Sequence, residues 1–320
     1  MKKNHWVWGL GVALACLLTA CAPKEDQLNS SASSAKSTAA TALTIGTMSA
    51  PESIPLYVAQ AAGYFKQADL DVTLKMFKSP KERDAAVSAG ALDGAVSDVV
   101  TLASYVNGDL GWQSGSGLTG SFGILTNQPD IQSLKDLAGR TVATMPRQTP
   151  TFYLYQALAK AGLSQADVKV TEVAQVPARV QLCVDRKVDA IIVPDPFMAM
   201  AKAKGCRVIA QSDPAHYQTT IMAFAPKVAK DAAVRRRFYT AYNRAVAKLN
   251  AGTAADFKSI LVDDIGYPAA VLADVKLLPY TKAKAIPTAT LKAAFEYAHR
   301  EGVLKTAVDP SRYSLQVQAN

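Results

Sequence analysis

From residue 42 onward the apolar positions switch repeatedly between two periods. Residues 43–48 read as a short strand. Residues 54–62 carry helical spacing and stop at Gly63, a residue suited to a left-handed terminator. Residues 71–77 alternate apolar and polar with period two, the mark of a half-buried strand. A helix over 80–89 ending at Gly90, a strand over 93–96 and a helix with Val99, Leu102, Ala103 and Val106 on one face complete a first set. A second set begins near Gln132. It has strands over 140–145, 168–173, 188–193 and 207–211, and helices over 150–161, 177–186 and 196–204. The unbroken apolar run at 188–193 suits a strand buried on both faces.

Alternating strands and helices predict an α/β fold, with parallel-rich sheets and helices on both faces. The two sets are joined near 122–127, and an extended stretch at 217–225 crosses back. The expected division is therefore one lobe from 43–124 and 220–320, a second from 125–219, and a cleft between them. Ligands of such sheets bind beyond the carboxyl ends of the strands.

Four strand-to-helix junctions carry polar groups at those ends: Thr47 and Ser49, Ser97 and Asp98, Thr149 and Thr151, and Asp195. Each opens a helix whose unpaired N–H groups can hold a polar ligand. Asp98, Thr149 and Asp195 equally suit plain N-capping. Two carboxylates, one from each lobe, favour a ligand with N–H donors, such as an amine-bearing heterocycle. Arg147 and Arg179 pull the other way, towards an anion. Tyr57, Trp112, Phe152, Tyr155 and Phe197 lie near the turns and offer stacking surface. The glycines at 115, 117 and 120 match a dinucleotide-loop spacing, but a strand-like segment follows them instead of a helix.

Composition narrows the picture. Apolar residues are 49% and charged residues 19%, which excludes disorder over most of the length. No apolar run after the N-terminus is long enough to span a bilayer, so a multi-span membrane protein is excluded. With three His in the chain, a His-rich metal site is not expected, and no cofactor motif is present. The net charge is +9, but Lys and Arg are scattered. The run Arg235-Arg236-Arg237 reads as a solvated helix face without aromatic interleaving, so no nucleic-acid partner is expected.

The N-terminus has Lys2 and Lys3, an apolar segment over 6–18, and the junction Leu18-Thr19-Ala20-Cys21. This resembles the lipobox of bacterial lipoproteins. That resemblance implies that residues 1–20 are a signal peptide, that Cys21 carries lipid, and that the protein is membrane-anchored in the cell envelope. Residues 21–42 are rich in Ser, Ala and Thr and read as a flexible tether. Once Cys16 is removed and Cys21 lipidated, Cys183 and Cys206 remain. In an oxidising compartment they form either a disulfide or two separate buried thiols.

Three stretches resemble a known family. They are Leu43-Thr-Ile-Gly with Ile54-Pro-Leu-Tyr-Val-Ala-Gln-Ala-Ala-Gly-Tyr-Phe-Lys, Leu134-Lys-Asp-Leu-Ala-Gly-Arg-Thr-Val-Ala, and Val188-Asp-Ala-Ile-Ile-Val-Pro-Asp-Pro-Phe. They are similar to ABC-importer solute-binding proteins of the branch for nitrate, sulfonate, taurine and thiamine-precursor pyrimidines. The resemblance spans about residues 43–305. It implies the two-lobed periplasmic-binding-protein fold, a small-molecule ligand, and a permease with its ATPase as partners. It does not choose among ligands, and a thiamine-precursor pyrimidine is the favoured expectation over a sulfonate or nitrate. Two other readings remain, a ligand sensor and an enzyme like the fungal thiamine-pyrimidine synthase. The latter needs a Cys cluster that Cys183 and Cys206 do not form.

Overall fold

In the computed structural model, which describes residues 40–213 and 217–317, ten strands make two five-stranded sheets. The first contains β1 (Thr41–Met48), β2 (Leu70–Phe77), β3 (Gly94–Asp98), β4 (Gln113–Gly117) and β10 (Thr220–Phe224), in the order 2-1-3-10-4. The second contains β5 (Phe122–Thr126), β6 (Thr141–Thr144), β7 (Lys169–Glu172), β8 (Ala190–Pro194) and β9 (Arg207–Gln211), in the order 7-6-8-5-9. In each sheet the first three strands are parallel, and the fourth in order runs antiparallel to both neighbours.

Those antiparallel strands are the ones that arrive from the other lobe. This moves the crossings from where the pattern put them. Residues 122–126 and 220–224 are themselves strands, and the chain passes between lobes at 118–121 and between Ser212 and Thr220. The physical reason is that extended apolar segments pair into the sheet they enter. The two crossings are laced together. Ser121 Oγ donates to the Ser212 carbonyl at 2.9 Å, and the Phe122 N–H donates to Ser212 Oγ at 2.8 Å.

The helices are α1 (Ile54–Ala61), α2 (Tyr64–Gln67), α3 (Pro80–Ser88), α4 (Val99–Asn107), α5 (Thr149–Lys160), α6 (Val176–Val184), α7 (Phe197–Ala203), α8 (Pro226–Lys230), α9 (Ala232–Asn250) and α10 (Thr288–Arg300). They cover both faces of both sheets. In β8, Ile192 joins one core with α5 through Leu154 and Leu158. Its neighbours Ile191 and Val193 join the opposite core with Val180 of α6 and Met198 of α7. Successive side chains of a strand alternate faces, so a wholly apolar strand is what a doubly covered sheet requires. Each such side chain, once buried, contributes about 1.5–3 kcal/mol. In the first sheet Phe224 packs towards Phe238 of α9, while Ile221 and Ala223 face α4 and α10.

Local signals were partly redistributed. Gly63, Gly90 and Gly162 take positive φ as helix terminators, but after α4 that role falls to Asp109, not Gly108. Thr149 is the first helical residue of α5, and Gln148 is its N-cap. Gly115 belongs to strand β4 and not to a ligand loop. A Cβ there would sit 2.3 Å from the Tyr239 hydroxyl and 2.6 Å from the Phe224 ring. Arg235 and Arg237 are more than a solvated face. Arg235 Nη1 donates to the Val228 carbonyl at 3.2 Å, and Arg237 ties α9 to the Asp69 carbonyl at 2.9 Å and to Thr41 Oγ1 at 3.0 Å. The signal-peptide segment, Cys21 and nearly all of the tether lie outside the described residues.

Candidate functional site

Between the sheets, at the carboxyl ends of the strands, lies a cavity of about 220 Å³. It is lined from one side by the ends of β1, β2 and β3 and from the other by the segments after β6, β7 and β8. This is where open α/β sheets place their ligands. Much of its wall is apolar: Met48, Met76, Phe77, Phe122, Val176 and Phe197. Of the aromatics singled out in the sequence, only Phe197 lines it. Trp112, Phe152 and Tyr57 are core, Trp112 edge-on to Tyr105 and Phe152 against Tyr297.

The sequence-predicted residues divide. Ser49, Ser97 and Asp98 line the cavity, whereas Thr47, Thr149, Thr151 and Asp195 do not. Thr47 is buried against the Tyr57 hydroxyl at 3.0 Å. Thr151 donates to the Met145 carbonyl at 2.7 Å and closes its own turn. Asp195 caps α7 by accepting from the Ala199 N–H at 3.0 Å, and burial pushes its pKa up. The Ser49 hydroxyl is spent on the Ile265 carbonyl.

Asp98 is the best-occupied of these groups. It accepts from the Val100 and Thr101 N–H groups at 3.0 and 2.8 Å, from Thr101 Oγ1 at 2.8 Å and from Thr149 Oγ1 at 2.5 Å. A carboxylate has about four acceptor sites. Three of these bonds fall on Oδ1, which is filled, and one on Oδ2, which keeps one acceptor site. Asp98 caps α4 and bonds directly to α5 of the opposite lobe.

Three groups dominate the electrostatics. Arg179, in α6, is 2% exposed. Its Nε donates to the Val173 carbonyl at 2.7 Å and its Nη1 to the Ile192 carbonyl at 3.0 Å. Among the described residues no carboxylate lies within ion-pair distance of it. Burial alone lowers its pKa to about 10, and it remains charged. Arg83, in α3, is equally buried but is neutralised by Asp84, whose Oδ1 lies 2.9 Å from Nε. Burial pulls the Arg83 pKa down, and Asp84, Tyr105 and Asp98 more than restore it. Glu52, in the turn Pro51–Ser53, is 7% exposed, and its Oε2 is buried without a hydrogen-bond partner. Burial raises its pKa to about 7, with Asp98 adding to the rise and its own backbone N–H and Arg83 opposing it.

Arg83 and Glu52 were not anticipated from sequence. The only available signal was position, since Arg83 follows Pro80 and Arg179 follows Pro177 at the start of a helix after a strand. Arg147 does not line the cavity. Cys183 and Cys206 are both buried thiols with their sulfurs 2.9 Å apart, and burial pushes the Cys183 thiol up. No cluster of His, Cys, Asp or Glu suited to a metal ion occurs among the described residues.

Comparison with solved structures places the fold. The periplasmic aliphatic sulphonate-binding protein SsuA from Escherichia coli is 20% identical, with a TM-score of 0.69, over 85% of this chain and 97% of that one. The alkanesulfonate-binding protein SsuA from Xanthomonas axonopodis pv. citri, bound to MOPS, is 18% identical with a TM-score of 0.71, over 88% and 99%. The periplasmic nitrate-binding protein NrtA from Synechocystis PCC 6803 is 15% identical with a TM-score of 0.67, over 85% and 84%. The shared architecture is the periplasmic-binding-protein fold. No curated protein sequence matches the chain. The family model described as NMT1/THI5 like matches residues 50–251, well over half the length, and the chain belongs to that family.

Proposed function

We propose that this protein is the exported solute-binding component of an ABC importer, and that its ligand is a small organic anion with an apolar body. The observation that carries this is Arg179, a buried guanidinium at the cavity wall with no counter-charge. A buried charge without a partner is costly, and an anion in the cavity supplies the partner. The apolar walls suit an aliphatic or aromatic body better than a bare oxyanion. The commitment of Asp98 Oδ1 to three internal donors and the placement of Asp195 away from the cavity weigh against an amine-bearing heterocycle. The fold is shared with proteins named for binding sulfonates and nitrate.

Under this reading, residues 43–117 and 220–317 act as one lobe and the segment from β5 to β9, 122–211, as the other, so that the boundary falls before β5 and not inside it at 124/125. They close on a ligand held by both, with hinges at 118–121 and at 217–219, just before β10. Cys21 anchors the body to the membrane through lipid, beside the permease and its ATPase.

Calorimetric titration with butanesulfonate, taurine, nitrate and an aminopyrimidine tests the ligand class. The expected result is binding of butanesulfonate and a loss of at least tenfold in Arg179→Met, about 1.4 kcal/mol. Binding of the aminopyrimidine alone would overturn the anion reading.

A further inference from the structure

Glu52 has no role in the anion site as described so far, and its surroundings are unusual for a carboxyl group. It sits at the cavity wall on the turn Pro51–Ser53, which is held by the Tyr280 hydroxyl donating to the Pro51 carbonyl at 3.1 Å. The crossing segment 118–121 leaves room for it. A Cβ on Gly120 would lie 3.0 Å from Glu52 Oε2 and 2.9 Å from Thr220 Oγ1. The groups that act on it from the packed elements are Arg83 of α3, Asp98 at the end of β3, Tyr242 of α9, and Tyr267 and Tyr280 from the C-terminal part. Arg83 is the one cation in that set, and Asp84 already neutralises it. An ionised Glu52 would face Asp98 from a nearly dry position, and beside a bound anion it would face a second negative charge.

We propose that Glu52 enters the ligand complex protonated, so that the protein takes up one anion and one proton together. The proton comes from solvent and resides on the Glu52 carboxyl. The neutral group removes repulsion and offers an O–H donor to the cavity, where an ionised carboxylate offers none. The inference rests on the anion reading above. Burial and Asp98 set the carboxyl to titrate at about 7, within the range where coupling is visible. If only the protonated form binds, affinity falls about tenfold from pH ~6 to pH ~8 by linkage.

Butanesulfonate is the probe, because its sulfonate does not titrate in this range and any proton taken up must come to the protein. Calorimetry on the wild-type chain in buffers of different ionisation heat counts those protons. About half a proton per anion is expected near pH 7, rising towards one near pH 8. Glu52→Gln keeps a neutral group with a donor. It should abolish the uptake and bind about tenfold tighter than wild type near pH 8. Binding without proton uptake overturns this inference and leaves the anion reading standing. Uptake that persists in Glu52→Gln assigns the proton elsewhere and also overturns it. Failure of butanesulfonate to bind at any pH, while the aminopyrimidine binds, overturns both. Should Glu52→Gln not fold, the proton count on wild type still decides whether coupling exists. Side-chain carboxyl NMR then decides the group, and no glutamate titrating near 7 overturns the assignment.

Discussion

The two lobes are built to one plan and equipped differently. In the first, Asp93 Oδ2 accepts from the Thr44 N–H of β1 at 2.8 Å. In the second, Asp189 Oδ2 accepts from the Thr141 N–H of β6 at the same distance. In the first, Arg83 of α3 reaches the Val96 carbonyl of β3 at 3.1 Å. In the second, Arg179 of α6 reaches the Ile192 carbonyl of β8 at 3.0 Å. A carboxylate stands at each of these junctions: Asp98 N-caps α4, and Asp195, between β8 and the N-cap Pro196, accepts from the Ala199 N–H in the first turn of α7. The difference lies in what surrounds the arginines. Arg83 has Asp84, itself bonded by the Tyr105 hydroxyl at 2.5 Å, whereas Ala178 and Val180 flank Arg179. Both arginines line the cavity; Arg83 is charge-balanced by Asp84, though its Nη2 lacks a hydrogen-bond partner, and Arg179 presents an unbalanced charge. The fold specifies the position of both, and the neighbouring residues decide which of the two charges is balanced within the protein.

Substitutions in the two arginines should separate these cases. Arg83→Met strands Asp84 and the Tyr105 hydroxyl. It should cost about 3 kcal/mol of stability, the low end for a broken buried pair because Asp84 is partly exposed. Arg179→Met strands no acid, only the Val173 and Ile192 carbonyls, and removes an unpaired buried charge, so it should cost about 1 kcal/mol in the same denaturant titration, less than Arg83→Met, while weakening anion binding by at least tenfold. Equal stability losses in the two variants would erase the distinction between the lobes.

Glu52 sharpens the contrast through pH. Its pKa in the fold is raised from 4.5 to about 7, so between those values the folded state binds more protons than the unfolded chain. Stability contributed by the neutral group is therefore full below about pH 4.5 and is lost as pH rises through about 7. The upper bound on that loss is about 3 kcal/mol. Urea titrations of wild type and Glu52→Gln across this range should diverge progressively. Parallel curves would place Glu52 among ordinary carboxyls.

A third difference is the thiol pair. Cys183 lies one turn after Arg179, where α3 has Val87 one turn after Arg83. We expect Cys183 and Cys206 to form a disulfide in the oxidising envelope. Closing that loop would stabilise the second lobe alone by about 3 kcal/mol. Mass measurement after alkylation under denaturing conditions reads this directly, and two alkylated thiols in envelope-derived protein would refute it.

The smallest effect is expected at the contact between lobes. Thr149→Val removes the hydrogen bond to Asp98, worth about 1.5–3 kcal/mol because the acceptor is charged. Part of this is regained by water at the opened cleft. A net shift of about 1 kcal/mol towards an open form should appear as a larger radius of gyration in ligand-free scattering.

Periodicity alone determined the alternation of elements, the doubly covered β8, and the carboxyl-end location of the site. Those features follow from local residue patterns and from the way parallel sheets must be covered. Only the tertiary structure decided which polar residues are free to act. Asp98 and Asp195 look alike in sequence, since capping and ligand binding call for the same side chains. Their partners, Thr149 on the opposite lobe and Ala199 on the next helix, settle that both are engaged. Arg179 and Glu52 gain their character from burial, which is a property of the packed lobes and not of the residues beside them. The crossings moved for a related reason. Strand pairing partners lie far apart in the chain, as Gly123 and Gln211 or Phe224 and Gly94 do, and no local pattern encodes that choice.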